Sequence, residues 1–137
     1  MNQAYTGRCA CGALRYDIAA KPVMENDCQC RDCQHESGTG HGSHLTFARK
    51  HVTLNGEARH WTMVGDSGNA KTRAFCPTCG SPVYMTFSGM PDLFTVRAAS
   101  LDDPSRYQPL MVTYGKRALA WDHIDPHLPL FDEMPPG

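Results

Sequence analysis

Cys76-Pro77-Thr78-Cys79-Gly80 and, near the start of the chain, Cys9-Ala10-Cys11-Gly12 decide how this sequence folds. Each is a close pair of thiols followed at once by glycine, which permits the turn that aims backbone N–H groups back at the sulfurs. Zinc takes four tetrahedral ligands, with sulfur at about 2.3 Å, and cysteines in a tight turn converge on one ion without distorting the backbone. Joined, the two knuckles make a closed structural site of Cys9, Cys11, Cys76 and Cys79 that ties the N-terminal segment to a distant hairpin. Such a site contributes about 10 to 16 kcal/mol, against ~5 to 15 kcal/mol of net stability for a whole domain, so the fold is expected to depend on it. The Cys76-to-Cys79 spacing also serves thiol oxidoreductases, which use an adjoining helix N-terminus; Gly80-Ser81-Pro82 argues against a helix here.

The remaining cysteines form a third group, Cys28-Gln29-Cys30-Arg31-Asp32-Cys33. Three thiolates leave one zinc position for water, a substrate or another side chain, and open sites do chemistry. An exogenous thiol suits that position. In neutral water only a few per cent of it is ionised, its pKa being ~8.5, and coordination removes that limit. Cys28, Cys30 and Cys33 are therefore the catalytic candidates, with Arg31 inside the ligand loop as the cation that offsets their charge. His35, His41 or His44 could instead close this site and make it structural too.

All seven cysteines thus fall into groups, in a chain of 137 residues with a formal charge of -1. The length fits one domain, spanning residues 1–137. With 41% apolar residues, 12 glycines and 10 prolines, the core is expected to be modest and reinforced by metal. Scattered Lys and Arg residues give no nucleic-acid footprint. Residues 1–8 hold no signal-peptide core, and no apolar run approaches the ~18 residues of a membrane span. A soluble cytoplasmic protein is the expectation, and in that compartment clustered thiols argue for metal rather than disulfides.

Residues 13–18, 44–47, 51–54, 60–64, 71–75, 83–87 and 93–97 read as strands, being β-branched or aromatic runs between turn signals. Asn55-Gly56 and Gly65-Asp66-Ser67-Gly68 predict hairpin turns in an antiparallel meander. Helix is expected only near Arg31 to Ser37, stopped by Gly38. Residues 126–137 are Pro-rich and read as an extended strap with a loose end. Trp61, Phe75, Tyr84 and Trp121 are assigned to the core, the usual place for large aromatics flanking strands.

With these motifs in hand, the chain resembles the glutathione-dependent formaldehyde-activating enzyme family, a group that includes centromere protein V. Residues 7–16 match its opening, Cys30-Arg31-Asp32-Cys33 with Ser37-Gly38 its middle, and residues 75–82 its third block. Ser100-Leu101-Asp102-Asp103-Pro104, Trp121 and Leu128-Pro129 carry the similarity towards the end. The resemblance implies a mainly β, small single domain of several coiled antiparallel β-sheets organised around zinc. It implies two zinc ions, one structural and one open at Cys28, Cys30 and Cys33. It further implies addition of glutathione, as substrate or ligand, to formaldehyde or another small aldehyde by a carbon–sulfur lyase. Gln29 departs from the pattern, which usually carries His there, and Gln cannot transfer protons as His does. The competing expectation is a non-catalytic zinc module of the same fold that binds a protein.

Overall fold

The computed structural model describes residues 4–65 and 68–136. Among them, the strands are β1 (Tyr5–Arg8), β2 (Arg15–Ile18), β3 (Met24–Cys28), β4 (Gly42–Ala48), β5 (Val52–Asn55), β6 (Arg59–Val64), β7 (Ala70–Phe75), β8 (Pro82–Phe87), β9 (Leu93–Arg97) and β10 (Met111–Thr113). One helix, α1 (Arg31–Ser37), lies between β3 and β4. It stops where Gly38 turns left-handed (φ 77°) and donates its N–H to Gln34 O at 3.0 Å. No described helix is long and apolar enough to cross a membrane.

Strict alternation makes β2 a half-buried strand, with Tyr16 and Ile18 turned inward. It sits between β1 and β5 in a three-stranded sheet. The larger sheet runs β10-β3-β4-β9-β8-β7-β6. The two sheets share a core in which Leu14, Tyr16 and Ile18 meet Leu45, Phe47, Phe94 and Val96. Tyr84 stacks on Phe94 with ring centroids 4.6 Å apart. Cys9 and Cys76 belong to the same cluster, so the packed interior reaches the first set of sulfurs.

The mainly β domain with little helix is the fold expected from the sequence, with three differences. The sheets number two among the described residues, and β10 pairs with β3 in parallel. The meander holds from β6 to β9, but Asn55-Gly56 turns no hairpin: β5 pairs with β2, β6 pairs with β7, and the chain changes sheets there. Of the second predicted turn, Asp66 and Ser67 lie outside the described residues, and Gly65 donates to Asn69 O at 3.0 Å. Thirdly, β1, β3 and β10 have no counterpart among the predicted strands. Met24-Glu25-Asn26-Asp27-Cys28 is too polar to read as β, yet it is central, flanked by β4 and β10. Its buried polar groups are satisfied by distant side chains: Asn26 donates to Thr113 Oγ1 (3.0 Å), and Asp27 accepts from Ser43 Oγ (2.7 Å) and the Tyr107 hydroxyl (2.8 Å).

The aromatic assignment needs correction as well. Tyr84 is in the core, but Trp61 is 53% and Trp121 62% exposed. Trp61 lies on edge strand β6, where its ring covers the Arg73 guanidinium at 5.2 Å rather than a core position. The proline-rich tail runs beside β10: Val112 donates to Pro129 O (2.8 Å), Phe131 to Val112 O (2.9 Å) and Tyr114 to Glu133 O (3.1 Å).

Candidate metal centres

The two knuckles are built alike. Cys9 N–H bonds Leu14 O (3.0 Å) and Gly12 N–H bonds Cys9 O (3.1 Å); Cys76 N–H bonds Ser81 O (3.1 Å) and Gly80 N–H bonds Cys76 O (2.8 Å). Both closing glycines take positive φ, 82° at Gly12 and 75° at Gly80, a conformation that strains other residues. The N–H of Leu14 donates to Cys9 Sγ at 3.3 Å, and those of Thr78 and Cys79 to Cys76 Sγ at 3.3 and 3.4 Å. The chain after Cys79 enters β8 and not a helix.

Cys9, Cys11, Cys76 and Cys79 hold their sulfurs within 4.8 Å of one another. The Cys9–Cys11 and Cys11–Cys76 separations are each 3.6 Å. Sulfurs on a tetrahedral zinc at ~2.3 Å lie about 3.8 Å apart, and disulfide sulfurs only ~2.05 Å. The spacing fits a shared cation. As thiols the group divides its protons unevenly. Cys11 accepts from Ala13 N–H, yet neighbouring Cys9 and Cys76 push it up to about 11. The Ser81 hydroxyl draws Cys79 down to about 5. Four sulfurs that cannot all ionise together are the donor set a divalent cation completes.

The second set forms where β3 ends and α1 begins. Cys30 caps the helix, its Sγ accepting from Cys33 N–H at 3.4 Å, so the turn that starts α1 also gathers the thiols. Cys28, Cys30 and Cys33 lie within 4.8 Å of one another, the first and last buried and Cys30 half-buried. Its bond with Cys28 holds Cys30 down to about 2, while Cys30 raises Cys28, and Cys28 raises Cys33 further. Only Cys30 is favoured as a thiolate, and three close sulfurs that do not ionise together again fit a cation.

Among the described residues no histidine or carboxylate joins either set. His35 is exposed, facing Arg31 Nη2 at 3.3 Å. His41 Nδ1 is 2.8 Å from Asp122. His44 alone touches the cluster, with Nε2 3.2 Å from Cys33 Sγ; burial holds its imidazole down at about 3, hence neutral.

Arg31 is exposed, its guanidinium taken up by Gln34 Oε1 and His35. The cations beside the sulfurs come from elsewhere. Lys71 Nζ is 3.9 Å from Cys33 Sγ, and buried Arg97 lies against His44, which itself touches Cys33. Both escaped the sequence reading because they sit on β7 and β9, far along the chain. One signal was available: Arg97 closes a strand of otherwise uncharged residues, Leu93-Phe94-Thr95-Val96, and is buried with the last three of them.

A cleft of about 710 Å³ is lined by Cys9 of the four-thiol set and by none of Cys28, Cys30 and Cys33. Arg8, Cys9 and Ser81 wall it on the side of the knuckles, and Glu36, Gly42 and Arg97 on the side of the second set. Arg49 is engaged elsewhere, donating to Val52 O at 3.1 Å, and Arg73 donates to Asp32 O at 3.0 Å.

A two-sheet β domain with one four-thiol and one three-thiol set defines a class: a small β protein with two candidate zinc centres. The chain belongs to the glutathione-dependent formaldehyde-activating enzyme family, whose model matches residues 4–117. A Rhodobacter sphaeroides protein of known crystal structure shares the fold, with a TM-score of 0.61 and 19% identity over 79% of this chain and 99% of that one. No curated protein matches the sequence.

Proposed function

We propose that this protein is a zinc-dependent carbon–sulfur lyase that joins glutathione, or a similar small thiol, to formaldehyde or another small aldehyde. The observation that carries this is the three-thiol set, which no histidine among the described residues completes. Cys9, Cys11, Cys76 and Cys79 hold a structural zinc; Cys28, Cys30 and Cys33 hold a second. That second zinc supplies ionisation of the incoming thiol at neutral pH. In the reaction a C–S bond forms between the thiol sulfur and the aldehyde carbon as the C=O π bond breaks. The proton lost by the thiol ends on the new hydroxyl.

The chain's own groups do the rest. Lys71 and Arg97 offset the negative charge gathered around Cys33, with Arg31 adding positive charge at the outer end of the ligand loop. Arg8, the exposed cation in the cleft wall, is suited to a carboxylate of glutathione. Gln29 is buried, its N–H on Thr113 O and its carbonyl on the Gln34 amide, and carries no transferable proton. The imidazole in the cleft wall is His41, oriented by Asp122, and it is assigned the proton transfer. The chain works as one domain in the reducing cytoplasm, where glutathione is available.

Zinc content of the purified protein, followed by calorimetric titration with glutathione, tests the proposal. Two zincs per chain and saturable thiol binding are expected, and Cys30→Ser should lose one zinc and the thiol site while keeping the fold. Two zincs without thiol binding would favour a protein-binding zinc module. If Cys30→Ser kept both metals and its glutathione affinity, the open-site mechanism would be abandoned.

A further inference from the structure

The three-thiol set is backed by a buried polar chain that a metal-ligand count does not require. His44 Nε2 stands 3.2 Å from Cys33 Sγ. Arg97 Nη1 lies against the same ring, 2.8 Å from His44 Nδ1 and 3.1 Å from Nε2. Arg97 is ion-paired to Glu36, which also faces Arg73 Nε at 3.6 Å. His44, Arg97 and the Glu36 side chain are all nearly excluded from solvent. Three elements contribute, α1, β4 and β9, and strand register places His44 directly opposite Arg97.

The donor and acceptor pattern is self-consistent. A guanidinium only donates, so a ring nitrogen facing it must accept; in a neutral imidazole the other nitrogen then carries hydrogen. Arg97 Nη1 lies nearer Nδ1 (2.8 Å) than Nε2 (3.1 Å), so Nδ1 is taken as the acceptor and Nε2–H as the donor towards sulfur. An imidazole in this position donates to the thiolate without ligating metal, and Glu36 and Arg97 fix its tautomer. Gly42 reinforces the assignment. A Cβ there would fall 2.9 Å from His44 Cε1 and Nε2 and 3.0 Å from Arg97 Nη1. The strand opposite Cys28 is bare where the imidazole and guanidinium need room.

We propose that Glu36, Arg97 and His44 form a positioning relay that orients Cys33 as a ligand of the second zinc, with Gly42 kept free of a side chain to admit it. Partners outside the ligand shell orient ligands, and their removal typically lowers metal affinity about 10- to 100-fold. This rests on the reading of Cys28, Cys30 and Cys33 as a metal site, and cobalt(II) separates the two ideas. Replacing zinc by cobalt gives sulfur-to-metal charge-transfer bands that count thiolates and shift to lower energy when a thiolate loses a hydrogen bond.

Wild type should take up two cobalt ions. His44→Ala, Arg97→Gln and Gly42→Ala should keep the four-thiol ion, lower zinc affinity of the three-thiol site about 10- to 100-fold in chelator competition, and red-shift its band. His44→Gln, which retains an N–H near the position of Nε2, should recover part of both. Uptake of one cobalt by wild type would remove the metal site itself, and the relay with it. Uptake of two, with His44→Ala and Arg97→Gln unchanged in affinity and band position, would overturn the relay alone. Should either of those variants fail to fold, His44→Gln and Arg97→Lys decide: unchanged affinity and band position in Arg97→Lys, which cannot hold Glu36 and the imidazole together, counts against the relay.

Discussion

Tyr16 sits at the middle of the core with its hydroxyl 2.7 Å from Ser100 Oγ. Ser100 itself donates to Arg97 O at 2.7 Å, so the tyrosine must donate to Ser100. A phenolate would lose that bond, and burial pushes the Tyr16 phenol well above its ordinary value despite the serine. Tyr107 is raised in the same way, by burial and then by Asp27, to which it donates. The unfolded phenols ionise near pH ~10, the folded ones later; their contribution is complete below about pH 10 and is lost as pH rises beyond it. Each tyrosine adds a slope of up to about 1.4 kcal/mol per pH unit. Urea unfolding from about pH 9 to about pH 12 should show a shallower alkaline loss for Tyr16→Phe than for wild type, after a neutral-pH cost of about 1 kcal/mol for the hydrogen bond. Parallel curves would refute the assignment. Tyr16 was legible as a strand residue from the pattern of its neighbours. Its partner was not, because Ser100 lies 84 residues on and is brought there by the turn after β9.

Among the elements, β10 has only three residues and draws support from two sides. It pairs in parallel with β3, and the tail bridges it at Val112 and Leu130. Each backbone bond contributes about 1 kcal/mol net, so truncation after Asp125, which removes the partners of Val112, Tyr114 and Gly115, should cost a few kcal/mol. Calorimetry should show a midpoint lowered by several degrees, and hydrogen exchange should show lost protection at Val112 and Gly115. Unchanged protection at Val112 would mean the tail contributes nothing there. Helix α1 was readable in place because its signals are local: Cys30 caps one end and Gly38 the other. β3 was not readable, since Asn26 and Asp27 are tolerable in a central strand only when Thr113, Ser43 and Tyr107 arrive from other elements.

For the whole molecule the two thiol sets should separate on chelation. Removal of the metal held by three thiols should leave circular dichroism unchanged, whereas stripping Cys9, Cys11, Cys76 and Cys79 should unfold the chain, because that site joins the β1–β2 turn to the β7–β8 turn. Cys76→Ser, which breaks the same site, should be insoluble or unfolded; a soluble variant with native dichroism would contradict the structural role. Sequence alone determined the grouping of seven cysteines into sets of four and three, the knuckle glycines, the single short helix and the mainly β class. Those features depend on spacing within a few residues, where backbone geometry leaves little choice. Tertiary structure alone decided that Trp61 and Trp121 face solvent, that Asn55-Gly56 changes sheets, and that Lys71, Arg97 and His44, rather than Arg31, surround Cys33. Those outcomes depend on which strands become neighbours and in what register, a choice made by burying the shared core and not by any local run of residues.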